Sequence, residues 1–76
     1  MERRWMNLQT IQLREDYIKL GQALKAAGLV SSGIEAKVVI TEGEVKVNGE
    51  VEERRGRKLY DGDIAEFNGQ QIQIKK

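Results

Sequence analysis

The chain contains neither cysteine nor histidine. Without cysteine there is no disulfide, thiolate metal site or thiol nucleophile. Without histidine the chain lacks the side chain that most often serves as general base or metal ligand near neutral pH. Proline is absent as well. No apolar run approaches the length of a membrane span. The first eight residues carry Arg3 and Arg4 but no apolar stretch of the signal-peptide kind. The expected location is therefore the cytoplasm. At 76 residues the chain is one domain with one small core, able to bury only about 60% of the surface its unfolded form exposes. Hydrophobic residues make up 39% and charged residues 33%, a balance that suits a small globule with a heavily solvated exterior. The formal net charge is only +1, so where the charges lie says more about partners than their sum.

What the chain does have is glycine: eight residues, most of them bounding a short periodic segment. Residues 10–13 (Thr-Ile-Gln-Leu) alternate polar and apolar, as a short strand does. Residues 16–27 have helical spacing, with Asp16 at the N-cap, Tyr17, Leu20, Leu24 and Ala27 on one stripe, and Gly28 at the C-terminal stop. Gly21 inside that segment costs about 1 kcal/mol against alanine, which points to close packing at that position. A second helix starts at Ser32, which has capping-box spacing to Glu35. Ala36, Val39 and Ile40 form its apolar stripe, Ile34 and Val38 lie on another face, and Gly43 ends it.

Beyond Gly43 the period changes to two. Val45 and Val47 lie on one face and Lys46 on the other. Asn48-Gly49 is the preferred pair for a type I′ hairpin turn, and Asn68-Gly69 repeats it between strands at residues 64–67 and 71–74. The order predicts an α+β domain, with two helices packed on one face of a small, mostly antiparallel sheet. Residues 1–9 are expected to form an N-terminal tail with room for partial order, and residues 10–76 the single domain. Its expected core is Leu20, Leu24, Ala36, Ile40, Val45, Val47, Leu59 and Ile64.

Catalysis has little support. Asp61 and Asp63 are two apart, but loop aspartates of this kind are turn formers far more often than cation ligands. No glycine-rich phosphate cradle occurs. No metal, cofactor or small-molecule substrate is expected, and the chain is read as a non-enzyme and a monomer. The basic residues are more informative. Four of the five residues from 54 to 58 are cationic: Arg54, Arg55, Arg57 and Lys58. Lys46 projects opposite the core valines, and Lys37 lies off the buried stripe of the second helix. These six cations are expected to form one continuous positive surface, with the amino end of the second helix offering free amides to a phosphate. Solubility alone is the competing explanation of such a run.

The stretch Leu24-Lys25-Ala26-Ala27-Gly28-Leu29-Val30-Ser31-Ser32-Gly33-Ile34-Glu35-Ala36-Lys37, continuing through Ile40, Gly43 and Val45-Lys46-Val47-Asn48-Gly49, resembles the S4 RNA-binding domain. That family is named for a small-subunit ribosomal protein, and it also occurs in pseudouridine synthases, tyrosyl-tRNA synthetases and a heat-shock ribosome-binding protein. Gly62-Asp63-Ile64 resembles the family's late turn. The resemblance covers residues 16–67 and is strongest to small free-standing S4 proteins of the bacterial YaaA/YbcJ type. It implies an S4-like (αL-type) domain, with Ser32, Lys37, Lys46 and Asn48 on or near an RNA surface and residues 54–58 where relatives carry polar and basic side chains. Gly33 departs from the arginine that many members carry after the capping serine, which removes one expected phosphate contact. Ser32 also has a purely capping role open to it, and Asn48 a purely turn-forming one.

The function implied is a non-catalytic module recognising structured RNA by phosphates and shape, with ribosomal RNA or ribosomal particles as the expected partner. The alternative from the sequence is a protein-interaction module, in which Ile34, Val38 and Trp5 dock a partner and the basic loop meets an acidic surface.

Overall fold

The computed structural model describes residues 7–76. Nine short elements follow one another: β1 (Asn7–Gln12), β2 (Ile18–Lys19), α1 (Leu20–Ala26), α2 (Gly33–Thr41), β3 (Val45–Val47), β4 (Glu50–Val51), β5 (Lys58–Leu59), β6 (Ile64–Phe67) and β7 (Gln70–Lys75). Five of the strands form one sheet in the order β1-β7-β6-β3-β4, and β2 and β5 form a separate two-stranded pair. All pairings are antiparallel except β1 with β7, which is parallel. The α+β class and the mostly antiparallel sheet are as expected from the sequence. The sheet also takes in residues 7–9, assigned to the tail by the sequence, because Asn7 already pairs with Gln70.

Two tight hairpins set the register. Asn48 and Asn68 have φ of 53° and 54°, and the glycines that follow have φ of 86° and 79°. Two successive residues of positive φ are what a type I′ turn requires, and Asn-Gly supplies them at least steric cost. Pairing then aligns Val47, Ala65 and Ile72 across three strands on one face. Val45, Ala65, Ile72 and Ile74 are fully buried there. They pack with Leu20, Ala23 and Leu24 of α1 and Ala36, Val39 and Ile40 of α2 in a single cluster.

Of the expected core, Ile64 alone is not buried. Its neighbour Ala65 takes the inward position, because strand side chains alternate and Ala65 pairs with the buried Val47. Ile72 and Ile74 fill the volume instead. α1 also starts later than the helical spacing predicts. Its N-cap position is Lys19, with no side-chain cap, and not Asp16. Residues 18 and 19 are drawn into pairing with Leu59 and Lys58. The first helical amides, Leu20 N–H and Gly21 N–H, donate to the carbonyls of Arg57 (2.8 Å) and Arg55 (3.1 Å). Asp16 forms an ion pair with Lys76 at the other end of the chain.

Both helices end in the same way. Leu29 N–H reaches back to Leu24 O and Gly28 N–H to Lys25 O; Glu44 N–H reaches Val39 O and Gly43 N–H reaches Ile40 O. This is the six-to-one and five-to-two pattern of the Schellman motif, which satisfies the last carbonyls of each helix.

Candidate nucleic-acid interface

The basic loop between β4 and β5 is built around one carboxylate. Glu52 is 7% exposed and is the buried charged residue of the described core. It accepts hydrogen bonds from the Arg54 backbone N–H (3.1 Å), Arg54 Nε (2.8 Å) and Nη2 (3.2 Å), and Arg57 Nη1 (2.7 Å). The Arg54 donors outweigh the cost of burial and, with Arg57, hold the carboxyl down to about 2 from its ordinary value of 4.5. Arg54 is raised in turn by the same contact. Two of the four cations that the sequence places on an open loop thus organise that loop from within. Arg54 keeps an outward side, its side chain being 75% exposed, whereas that of Arg57 is 32% exposed.

Arg55 behaves differently. Its carbonyl receives the Gly21 amide, and its side chain lies across Gly21: a Cβ at that position would sit 2.8 Å from Arg55 Cγ. This close approach explains glycine in the first turn of α1, where alanine would favour the helix. Arg55 then lines a groove of about 270 Å³ with Lys19, Gly21, Gln22, Gly56 and Gly33. Gly33 is the first residue of α2. The groove therefore places two cations beside a helix amino end. Ser32 Oγ accepts the Glu35 amide at 3.1 Å, and Ser32 O accepts that of Ala36. The amides of the helix's first two residues precede the first intrahelical bond and face away from it. The Ser32 half of the expected capping box is in place, and only its return half is displaced by one residue. Glu35 does not return to the Ser32 amide; its carboxylate accepts from the Ser31 N–H (2.7 Å) and Ser31 Oγ (2.8 Å). Those bonds hold the Glu35 carboxyl below its ordinary range.

The remaining expected site residues are distributed around this groove and away from it. Lys37 is exposed on α2. Lys58 lies over the Tyr17 ring, 4.8 Å from its centre. Lys46 is exposed on the sheet face turned away from the helices, with Glu66 and Val51 as its cross-strand neighbours. Asn48 is exposed, but its side chain is engaged by neighbours: its Nδ2 donates to Asp63 (3.0 Å) and its Oδ1 accepts the Ile64 amide (3.0 Å). Asp63 also accepts the Tyr60 amide within its own turn, and Asp61 accepts the Lys76 amide fifteen residues away, so both aspartates have backbone partners within the fold. Among the described residues, no group of three or more acids gathers as a metal site would need. Of the apolar alternative site, Ile34 and Val38 are exposed, while Trp5 lies outside the described residues.

Sequence reasoning did not single out Glu52 or Lys19. Glu50, Glu52 and Glu53 all precede the basic run, so nothing in the sequence marks Glu52 among them as the buried one. Lys19 carried no signal either, because its place in the groove depends on β2 pairing with β5. No helix among the described residues is long and apolar enough to cross a membrane.

Residues 11–75 match the S4 domain profile. The chain is 49% identical over 59 residues to the probable ribosome maturation protein RlbA of Bacillus subtilis (strain 168), covering 78% of this chain and 83% of that protein. It is 38% identical over 61 residues to the putative RNA-binding protein YbcJ of Escherichia coli (strain K12), covering 80% and 87%. The solution structure of E. coli YbcJ, described as revealing an alfaL motif involved in RNA binding, superposes with a TM-score of 0.73 at 36% identity, over 100% of this chain and 98% of that one.

Proposed function

Because the chain belongs to the S4 domain family, we propose that it is a non-catalytic RNA-binding protein acting on structured ribosomal RNA during ribosome maturation in the cytoplasm. The single observation that carries the contact surface is the groove in which Arg55 and Lys19 flank the amino end of α2. Cations and a helix amino end both favour a phosphate. Lys37, exposed on the same helix, and the outward side of Arg54, next to Arg55 in the loop, supply further cations for the RNA backbone. Glu52 and Arg57 hold the loop in the shape that presents Arg55. Ser32 caps the helix and orders its amides. The names of RlbA and YbcJ, one a ribosome maturation protein and the other RNA-binding, support the same class of partner. Lys58 is assigned to a flanking position, Asn48 acts through the turn it braces, and Lys46, on the sheet face turned away from the helices, is left outside the groove.

Double-stranded RNA shows little base information to side chains in its deep, narrow major groove, so recognition is by phosphate and shape. Affinity then falls steeply with salt, since each neutralised phosphate releases condensed counterions. The test is co-sedimentation with ribosomal subunits and their precursors at low and high salt, for the wild type and for Arg55→Glu. The variant is expected to weaken binding and flatten the logarithmic salt dependence by about one unit or more. Arg55 is the cation to change, because replacing Arg54 would also strip the buried Glu52 of a partner. Wild-type protein that stays in the soluble fraction at low salt, with no salt-sensitive affinity for folded RNA, would refute the proposal. So would an Arg55→Glu variant that binds as the wild type does.

A further inference from the structure

The two-stranded pair β2–β5 has an outer face that the groove does not account for. Ile18 pairs with Leu59 and Lys19 with Lys58. Leu59 is fully buried, so alternation along the strands turns Lys19 and Lys58 outward, with Tyr17 and Tyr60 flanking them on the same side. The two rings meet with centroids 5.9 Å apart, tilted by 51°. Lys58 covers Tyr17, whereas Tyr60 is 49% exposed. Two lysines and two tyrosines thus share one small face. The aspartates nearest to it in sequence have partners within the fold: Asp16 with Lys76, Asp61 with the Lys76 amide, and Asp63 with Asn48 and the Tyr60 amide.

We propose that this face is a stacking platform for one unpaired nucleotide of the RNA, its base on the open side of the Tyr60 ring and its phosphates at Lys58 and Lys19. The proposal rests on the RNA-binding function above and specifies the form of RNA. Interleaved aromatic and cationic side chains bind unstacked nucleotides, because every base has a π-face and every linkage a negative charge. A continuous duplex offers no free base to such a ring. Lys19 belongs both to this face and to the phosphate groove, so the unpaired nucleotide directly adjoins the strand bound in the groove. The protein is therefore expected to prefer a bulge or a helix junction over uninterrupted duplex.

The probes are three short RNA duplexes of otherwise identical sequence: fully paired, carrying a single adenosine bulge, and carrying an abasic ribose at the bulge. Anisotropy titrations of the wild type should show the adenosine bulge bound roughly fivefold or more tightly than the abasic one. Tyr60→Ala should remove that preference while leaving affinity for the paired duplex, and its salt dependence, unchanged. Tyr60→Phe should retain it, because the ring remains. Equal wild-type affinity for the adenosine and abasic bulges would overturn the platform, whatever the variants do, since the lysines would then be holding polyanion alone. A Tyr60→Ala protein that keeps the preference would overturn it too. Failure of the wild type to bind any of the three at low salt would instead remove the RNA-binding function, and the platform with it.

Discussion

Glu52→Gln tests the loop that presents Arg55. The carboxylate is 7% exposed and accepts four hydrogen bonds from Arg54 and Arg57. Glutamine keeps the shape but turns an NH₂ group toward guanidinium donors and removes the charge. The displacement of Glu52 from 4.5 to about 2 corresponds to at most about 3.5 kcal/mol of native-state stabilisation, at about 1.4 kcal/mol for each tenfold change in proton affinity. Water around Arg54, whose side chain is 75% exposed, screens the pair, and the expected loss is about 1–2 kcal/mol. For a domain of this size that lowers the melting temperature by about 5–15 °C.

The pH dependence gives the sharper signature. Glu52 binds its proton more weakly in the folded state, so its contribution is fully present above pH 4.5. It declines as pH falls and is gone below about 2. Urea unfolding of wild type and Glu52→Gln between pH 7 and pH 2 should therefore give curves that converge as the pH drops through that window. Equal stability at pH 7, or a gap that persists undiminished at pH 2, would refute the assignment of Glu52 as the centre of the loop.

Two further predictions concern packing. Gly21→Ala places a Cβ 2.8 Å from Arg55 Cγ, so the arginine must move. Isothermal titration should show weaker RNA binding, while thermal melting shows no gain approaching the ~1 kcal/mol that helix propensity alone offers. Leu24→Ala, at a fully buried position of the core, should cost about 2–5 kcal/mol. Chemical denaturation should find much of the folded population lost, since a domain this small has little stability in reserve.

Local chemistry alone places Ser32 at its helix start, glycine at both helix ends, Asn-Gly at both hairpin turns, and Val45 and Val47 facing inward. Each of these is decided by the chemistry of a few adjacent residues. The S4 resemblance was legible for the same reason, because its motif is a string of such local devices. Tertiary structure decided what depends on a distant partner. Residues 16–19 carry helical spacing, yet Ile18 and Lys19 pair with the strand at Lys58–Leu59, the amides of Leu20 and Gly21 bond the carbonyls of Arg57 and Arg55, and α1 starts at Leu20. Ile64 and Ala65 have adjacent places in a strand, and only pairing with Val47 says which of them points inward. The candidate site divides along the same line. That residues 54–58 are basic is plain in the sequence. That Arg54 and Arg57 turn to Glu52 while Arg55 turns to Gly21 and the amino end of α2 follows from which charges and cavities the fold brings within hydrogen-bond reach. A sum of charges along the chain carries no such information.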